Sequence, residues 1–216
     1  FDDFDSYLYE ELIGKMSELN ISKTEATLST EIFGRLSSIP LVDRYIAYQL
    51  LDDEWTKIAV DLEIIQTEGF EATKKVNPNM IVKKKDGKEQ EVREGWVGQI
   101  IPFDLIQTTI LKEDKAVLED KESRLTEIAA EYEELLDSLT EEEKEGDFVN
   151  ESKDAFVAAE IKKALKSESI EPETKEKLRS VNSLIAEEKE LKAAIKKEVG
   201  LLEAKTKETI EGLSDD

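Results

Sequence analysis

Two long charged segments of this chain carry the same narrow apolar stripe. From Leu111 onward, apolar residues recur every three or four positions between mostly charged neighbours, and the stripe returns between Pro172 and about Leu213. A stripe this narrow is typical of coiled-coil helices. A helix over 102–139 is about 55 Å long, more than a compact domain of this size covers, so it needs a partner helix. We therefore predict an antiparallel hairpin of helices 102–139 and 172–213.

Polar residues interrupt the predicted seam between these helices. Lys121 interrupts it in the first helix, and Glu188 and Lys192 interrupt it in the second, so the seam alone predicts moderate stability. Its apolar members are Leu118, Leu125, Ile128, Tyr132, Leu135, Leu139, Leu178, Val181, Ile185, Ile195, Val199 and Leu202. Apolar residues off the seam have little reason to face water unless another surface covers them. They are Ile110, Val117, Leu184, Leu191 and Leu201, and the last three are expected to belong to a docking face for a partner.

The first forty residues predict two helices. The first spans 1–19 and stops at Asn20. Its apolar face consists of Phe4, Leu8, Leu12, Met16 and Leu19. A second, shorter helix ends at Leu36, because the residue before Pro40 is pushed out of the helical region.

The most aromatic helix is predicted to start at Leu41 and to end at Gly69. Tyr45, Tyr48 and Trp55 recur at helical spacing along it. Such residues can stack on a nucleic-acid base, but beside apolar neighbours they are expected in the core.

A β-hairpin is predicted around 79–100. Asp86-Gly87 separates two β-capable runs, and both residues tolerate the positive φ that a tight turn requires. The basic residues at the turn are interpreted as protection of a sheet edge rather than as a phosphate site. They are Lys83, Lys84, Lys85 and Lys88.

Together these patterns predict a mainly α protein in two parts. Residues 1–100 form a small helical domain with one β-hairpin. Residues 101–216 form a long antiparallel coiled-coil hairpin arm, with a short helix at 154–166 near its tip.

Composition excludes several functions. The formal net charge of −22 argues against this chain wrapping nucleic acid by itself, because phosphate binding depends on Lys and Arg. The absence of Cys and His excludes thiol chemistry, disulfides, imidazole catalysis and Cys/His metal sites from it. No apolar run approaches a membrane span, so we expect a cytoplasmic protein without a membrane partner. The chain starts at Phe1 without Met, and we expect a piece of something longer.

No catalytic, cofactor-binding or metal-binding residues are expected in this chain. Asn77-Pro78-Asn79-Met80 lacks the second proline and the aromatic residue of the Asn-Pro-Pro-aromatic motif of amino-methylating enzymes, and is interpreted as a turn. No two glycines have the Gly-x-Gly spacing of a cofactor loop. The acidic runs at 52–54 and 141–147 lack the ligand spacing of a calcium loop and predict solvated faces.

Three segments resemble one protein family. Residues 40–55 read PLVDRYIAYQLLDDEW, 61–70 is an acidic-apolar stretch ending in Gly-Phe, and 100–106 reads IIPFDLI. In this order they resemble the C-terminal part of the modification (M) subunit of type I restriction-modification systems, which continues into a long Glu/Lys/Ala helix. Phe70 stands where the family often has Trp, and the interrupted second seam also departs from the family.

The resemblance implies that the intact protein transfers a methyl group from S-adenosylmethionine to the exocyclic N6 amino group of adenine in DNA. The family's catalytic domain, with its cofactor loop and Asn-Pro-Pro-aromatic motif, lies upstream of the matching part. The resemblance also implies a specificity (S) subunit that reads the DNA, and a further association with the restriction (R) subunit, a nuclease. The helical arm is the expected element of subunit assembly.

Two other functions stay open from the sequence. A free-standing coiled-coil adaptor with no link to DNA fits the composition equally well. A carboxylate-based enzyme complete in itself is compatible with the residue types that are present.

Overall fold

The computed structural model describes residues 2–36, 43–85, 87–167 and 170–214. Over these residues the chain forms seven α-helices and one two-stranded antiparallel sheet, and it is 69% helical. The expected mainly α fold with one β-hairpin is therefore confirmed. No described helix is long and apolar enough to cross a membrane. Within the same residues, acidic side chains form no group that could hold a metal ion.

The chain divides into two compact units. The first is Phe1–Phe103 with Lys207–Asp216, and the second is Asp104–Thr206. The first contains α1 (Asp2–Glu11), α2 (Ile21–Leu36), α3 (Arg44–Glu68) and the hairpin strands β1 (Val76–Lys85) and β2 (Lys88–Gly98). The remaining helices are α4 (Phe103–Thr109), α5 (Lys112–Asp137), α6 (Ala158–Ala164) and α7 (Pro172–Glu211). The last turn of α7 thus belongs to the first unit.

The first helix is shorter than predicted. Instead of spanning 1–19, α1 ends at Glu11, and the segment around Gly14 forms a 3-10 turn. Glycine has a low helix propensity, which fits a break here. Asn20, expected to stop the first helix, caps the start of α2, because its Oδ1 accepts the N–H of Lys23 at 2.9 Å. As a result, α2 is the longer of the two helices.

Both ends of α3 have a local cause. The side chain of Asp43 accepts the N–H of Tyr45 at 2.8 Å and caps the start. Gly69 ends the helix with a φ of 78°, and its N–H donates to the carbonyl of Ile65 at 2.9 Å. The predicted end at Gly69 is confirmed, whereas the boundary expected at Pro40 lies outside the described residues.

The core of the first unit uses one face of α3. Its buried members are Leu28, Trp55 and Leu62. The expectation that Tyr45 and Tyr48 join this core is wrong, since they are 87% and 48% exposed. Apolar residues occur on all sides of the first half of α3, so their spacing does not identify which of them are buried. Tyr48 instead stacks on Phe33 of α2, with ring centroids 5.7 Å apart.

The hairpin is observed at 76–98, close to the predicted 79–100. Its strands pair antiparallel up to Lys85 and Lys88, which leaves a two-residue turn. Asp86 lies outside the described residues, and Gly87 has a φ of 76°. A bulge after Asn79 shifts the pairing by one residue.

The hairpin contains a segment that was expected to form a turn and a basic run that was expected to protect a sheet edge. Asn77 and Pro78, expected in a turn, lie within β1, where a two-stranded sheet tolerates proline because each strand is an edge. The basic turn is partly neutralised across the strands: Lys83 lies 3.1 Å from Glu94. This pairing agrees with a protected edge.

The helix predicted over 102–139 is interrupted. It is split into α4 and α5 next to the β-branched run Thr108-Thr109-Ile110. The hydroxyls of Thr108 and Thr109 donate to the carbonyls of Asp104 and Leu105, at 2.7 and 2.5 Å. Such side-chain bonds to the backbone, together with stiff β-branched side chains, weaken a helix.

A compact cluster lies where α5 ends and α7 begins, and we call it the tip cluster. Its buried residues are Leu136, Leu139, Phe148, Val149, Ile161, Leu178 and Val181. The short helix predicted at 154–166 is α6, which starts four residues later because 150–157 forms a hydrogen-bonded loop. α7 agrees with the predicted 172–213 to within two residues at its C-terminal end.

The positive φ of Gly87 predicts that Gly87→Val destabilises the hairpin by about 1–3 kcal/mol, because a β-branched residue is strained there. Hydrogen exchange of the β1 and β2 amides should accelerate accordingly. Gly87→Asn is the matched control, because asparagine tolerates this conformation, and it should cost clearly less. Equal exchange rates in the valine variant and the wild type would contradict a strained turn.

Candidate partner-binding site on the helical arm

Two ion pairs align α5 with α7. We call α5 and the part of α7 up to Thr206 the arm. Lys121 Nζ lies 3.0 Å from Glu198 Oε1, and Asp114 pairs with Lys205. Moving seven residues towards the C-terminus of α5, from Asp114 to Lys121, therefore corresponds to moving seven residues towards the N-terminus of α7, from Lys205 to Glu198. This alignment is antiparallel, with one heptad between the pairs.

A third charged group, centred on Arg124, lies closer to the tip cluster. Its Nε and Nη2 donate to the two carboxylate oxygens of Glu187 at 2.7 and 3.0 Å, a bidentate pair across the arm. Its Nη1 donates to Glu131 at 2.5 Å and to Glu127 at 3.1 Å. The guanidinium lowers the pKa of Glu187 below its usual value, so this carboxylate is ionised at neutral pH.

The polar interruptions of the seam are themselves paired. Tyr132 donates its hydroxyl to Glu188 Oε2 at 3.0 Å, and Lys192 donates to the other oxygen. The bonds from Lys192 and Tyr132 lower the pKa of Glu188. Burial, and then the bond to Glu188, raise the pKa of Tyr132. Polar groups therefore replace an apolar contact in mid-seam without leaving these side chains unsatisfied.

The predicted seam residues differ in burial. The buried ones are Ile128, Leu139, Leu178, Val181 and Leu202. The half-buried ones are Leu118, Leu125, Tyr132, Leu135, Ile185 and Ile195. Val199 is 45% exposed and is not part of the seam. In this turn α7 faces α5 with Glu198, the partner of Lys121, so its neighbour Val199 is turned outward.

Exposed apolar residues lie between the two aligning ion pairs. Val117 falls between Asp114 and Lys121 on α5, and it is 48% exposed. Leu201 falls between Glu198 and Lys205 on α7, and it is 46% exposed. On both helices the apolar residue lies three residues after one charged residue and four residues before the next. The apolar residues therefore lie on the same side of the arm as the ion pairs.

We call this side of the arm the flank. It contains the two ion pairs and the apolar residues between them, namely Asp114, Val117, Lys121, Glu198, Leu201 and Lys205. Leu191 lies on the same side of α7, one heptad before Glu198, and is half-buried. Of the predicted docking face, Leu191 and Leu201 thus lie on the flank. Leu184 is only 7% exposed, so it is already covered and offers no free surface. Val117 also belongs to the flank, although it was not among the residues expected to dock a partner. The opposite charges of Asp114 and Lys205 are the sequence signal that could have identified it.

Comparisons with protein-family models, with curated proteins and with solved structures found no match to this chain.

Glu143 joins the acidic run to the start of α7. Its carboxylate accepts the N–H of Thr140 at 2.7 Å and the hydroxyl of Thr174 at 2.5 Å. Thr174 is itself buried, and Lys177 Nζ lies 3.5 Å from the carboxylate. The bond from Thr174, followed by those from Thr140, lowers the pKa of Glu143. The run expected to be only a solvated face therefore includes one structural carboxylate.

The lowered pKa of Glu143 predicts an acid-sensitive contact. A carboxylate whose pKa is depressed by folding stabilises the protein above its unfolded pKa, about 4.3, and this contribution is lost as the pH falls through the folded pKa. We expect Glu143→Gln to lower the melting temperature at pH 7, and the difference from wild type to shrink as the pH falls below about 5. Circular dichroism melts of Glu143→Gln and of the exposed control Glu142→Gln measure this. A difference independent of pH would contradict it.

Proposed function

We propose that this chain is the C-terminal subunit-assembly region of the modification subunit of a type I restriction-modification system. The observation that carries the proposal is the resemblance of residues 40–55, 61–70 and 100–106, in that order, to this part of the family. Each of the three segments contains or adjoins a defined structural feature. The first segment includes the buried Trp55, the second contains the end of α3 at Gly69, and the third leads into α4.

In this proposal the chain assembles the enzyme and does not carry out its chemistry. The intact protein transfers a methyl group from S-adenosylmethionine to the N6 amino group of adenine, with catalytic residues upstream of this chain. DNA is reached through the specificity subunit, which fits the charge of −22 on this chain. The restriction subunit is a further partner of the assembled enzyme, and the compartment is the cytoplasm.

The flank is the proposed contact for the specificity subunit. Val117, Leu191 and Leu201 supply apolar surface at helical spacing, as a groove for an amphipathic helix requires. The ion pairs Asp114–Lys205 and Lys121–Glu198 pair four charges beside Leu201, so a partner that covers these four groups buries none of them unpaired.

Leu201→Glu should weaken assembly with the specificity subunit about tenfold or more, because it places a charge in a contact that must exclude water. The melting temperature of the intact protein should stay nearly unchanged, because Leu201 is 46% exposed. Isothermal titration of the intact protein with the specificity subunit measures the affinity.

Val199→Glu is the matched control, because Val199 is equally exposed on the same helix but points away from the flank. It should assemble normally. If both variants assemble with wild-type affinity, the specificity subunit docks elsewhere. If both are weakened equally, the flank has no special role.

Ile128→Glu should separate stability from docking. Ile128 is 1% exposed in the seam, so the substitution removes packing and buries an unpaired charge. We expect a loss on the order of 3–5 kcal/mol in the free energy of unfolding. Chemical denaturation of this chain measures the loss, and a wild-type midpoint would show that the seam does not hold the arm together.

The gene provides a separate test against the free-standing adaptor. An Asn-Pro-Pro-aromatic motif encoded in frame upstream of Phe1 supports the proposal. A start codon directly before Phe1 would favour the adaptor, whose arm would then serve another partner.

A further inference from the structure

A second surface of the arm forms a pocket on the Tyr132 side. Its volume is about 430 Å³, within the range of about 300–1,000 Å³ that is typical of ligand pockets. The pocket lies between α5, the loop before α6, and α7, all within the second unit. Most of its lining is apolar: Ala129, Tyr132, Leu136, Ala155, Phe156 and Ile185.

The loop that forms one wall is held by its own hydrogen bonds. Asn150 Oδ1 accepts the N–H groups of Asp154 and Ala155 at 3.0 and 3.1 Å. The Asn150 N–H donates to the carbonyl of Ala155 at 2.9 Å, and the Val157 N–H donates to Phe148 at 2.9 Å. Phe156 pairs with Val149 in an isolated β-bridge. The wall is therefore preorganised, which lowers the entropic cost of binding.

The charged groups that line the pocket are all acidic. They are Glu133, Asp154 and Glu188. Glu188 is held by Tyr132 and Lys192, and Asp154 accepts the side-chain amide of Asn150 at 2.6 Å. Within the described part of the chain, Glu133 has no hydrogen bond or ion pair. The pocket thus combines an apolar floor with an excess of negative charge.

We propose that this pocket binds a peptide segment of a partner protein in which an apolar side chain stands next to an arginine or lysine. The apolar side chain packs against Phe156 and Ile185. The basic residue lays its aliphatic stem along the rim and places its charged group near Glu133 and Asp154. An acidic or neutral polar segment lacks this complementarity, because it would leave the carboxylates uncompensated.

The test uses the full chain with alanine methyl groups labelled with ¹³C, since Ala129, Ala155 and Ala158 line the pocket. The probe is an acetylated, amidated tetrapeptide of alternating leucine and arginine. We expect saturable shifts of these three methyl signals, while that of Ala204 stays constant. The same peptide with glutamate in place of arginine should produce no saturable shift. Absence of shifts with the basic peptide, or equal shifts with the acidic one, would overturn the proposal.

Matched variants distinguish pocket binding from general attraction to an acidic protein. Ala129→Leu fills the pocket from an exposed helical position and should weaken binding about tenfold or more, whereas Ala130→Leu, outside the lining, should not. Glu133→Gln should weaken binding about two- to fivefold and its neighbour Glu134→Gln should not. Equal effects of the two leucine variants would show that binding does not use the pocket, and equal effects of the two glutamine variants would show a non-specific charge effect. Either result would overturn the pocket assignment.

Discussion

The alignment of α5 on α7 is the constraint on which the rest of the arm depends. An apolar stripe with a seven-residue repeat fits its partner in several registers. The charges distinguish them. In the observed register Asp114 meets Lys205 and Lys121 meets Glu198. A shift of one heptad in one direction would bring Asp114 opposite Glu198, and a shift of one heptad in the other direction would bring Lys121 opposite Lys205, so each shift creates a like-charged pair. Charge therefore selects one register from those that apolar packing permits.

These charges contribute more to specificity than to stability. Partly exposed ion pairs are each worth about 0.2–1 kcal/mol, and the pair of Tyr132 with Glu188 replaces an apolar contact. The dense apolar packing of the second unit lies in the tip cluster, where Ile161, Leu178 and Val181 are fully buried. The tip cluster thus closes the hairpin and brings the helices together, and the ion pairs then define how they align along the arm.

The sequence predicted features that depend on local chemistry: the end of α3 at Gly69 and the hairpin turn at Gly87 both follow from glycine's access to positive φ. It failed where a residue's role depends on how a helix is rotated against its neighbour. From residue spacing alone, Val199 was expected in the seam and Leu184 on an exposed face. In a narrow stripe, only packing and ion pairing decide which of two adjacent residues faces the other helix. The break between α4 and α5 at Ile110 was also not predicted. The apolar spacing from Leu111 onward is compatible with one continuous helix, because spacing does not reflect how the β-branched run before Leu111 weakens a helix.

The two sides of the arm differ in how their charge is balanced, and this difference determines what each can bind. On the flank, the acidic groups Asp114 and Glu198 are matched by lysines of the opposite helix, so an occupant that covers them leaves neither carboxylate uncompensated. In the pocket, Glu133 has no such partner among the described residues, and an occupant that excludes water must bring a positive charge of its own. One helical hairpin therefore offers two surfaces of distinct chemistry. The two surfaces use different rows of α5 and α7, so contacts on the flank do not require the residues that line the pocket.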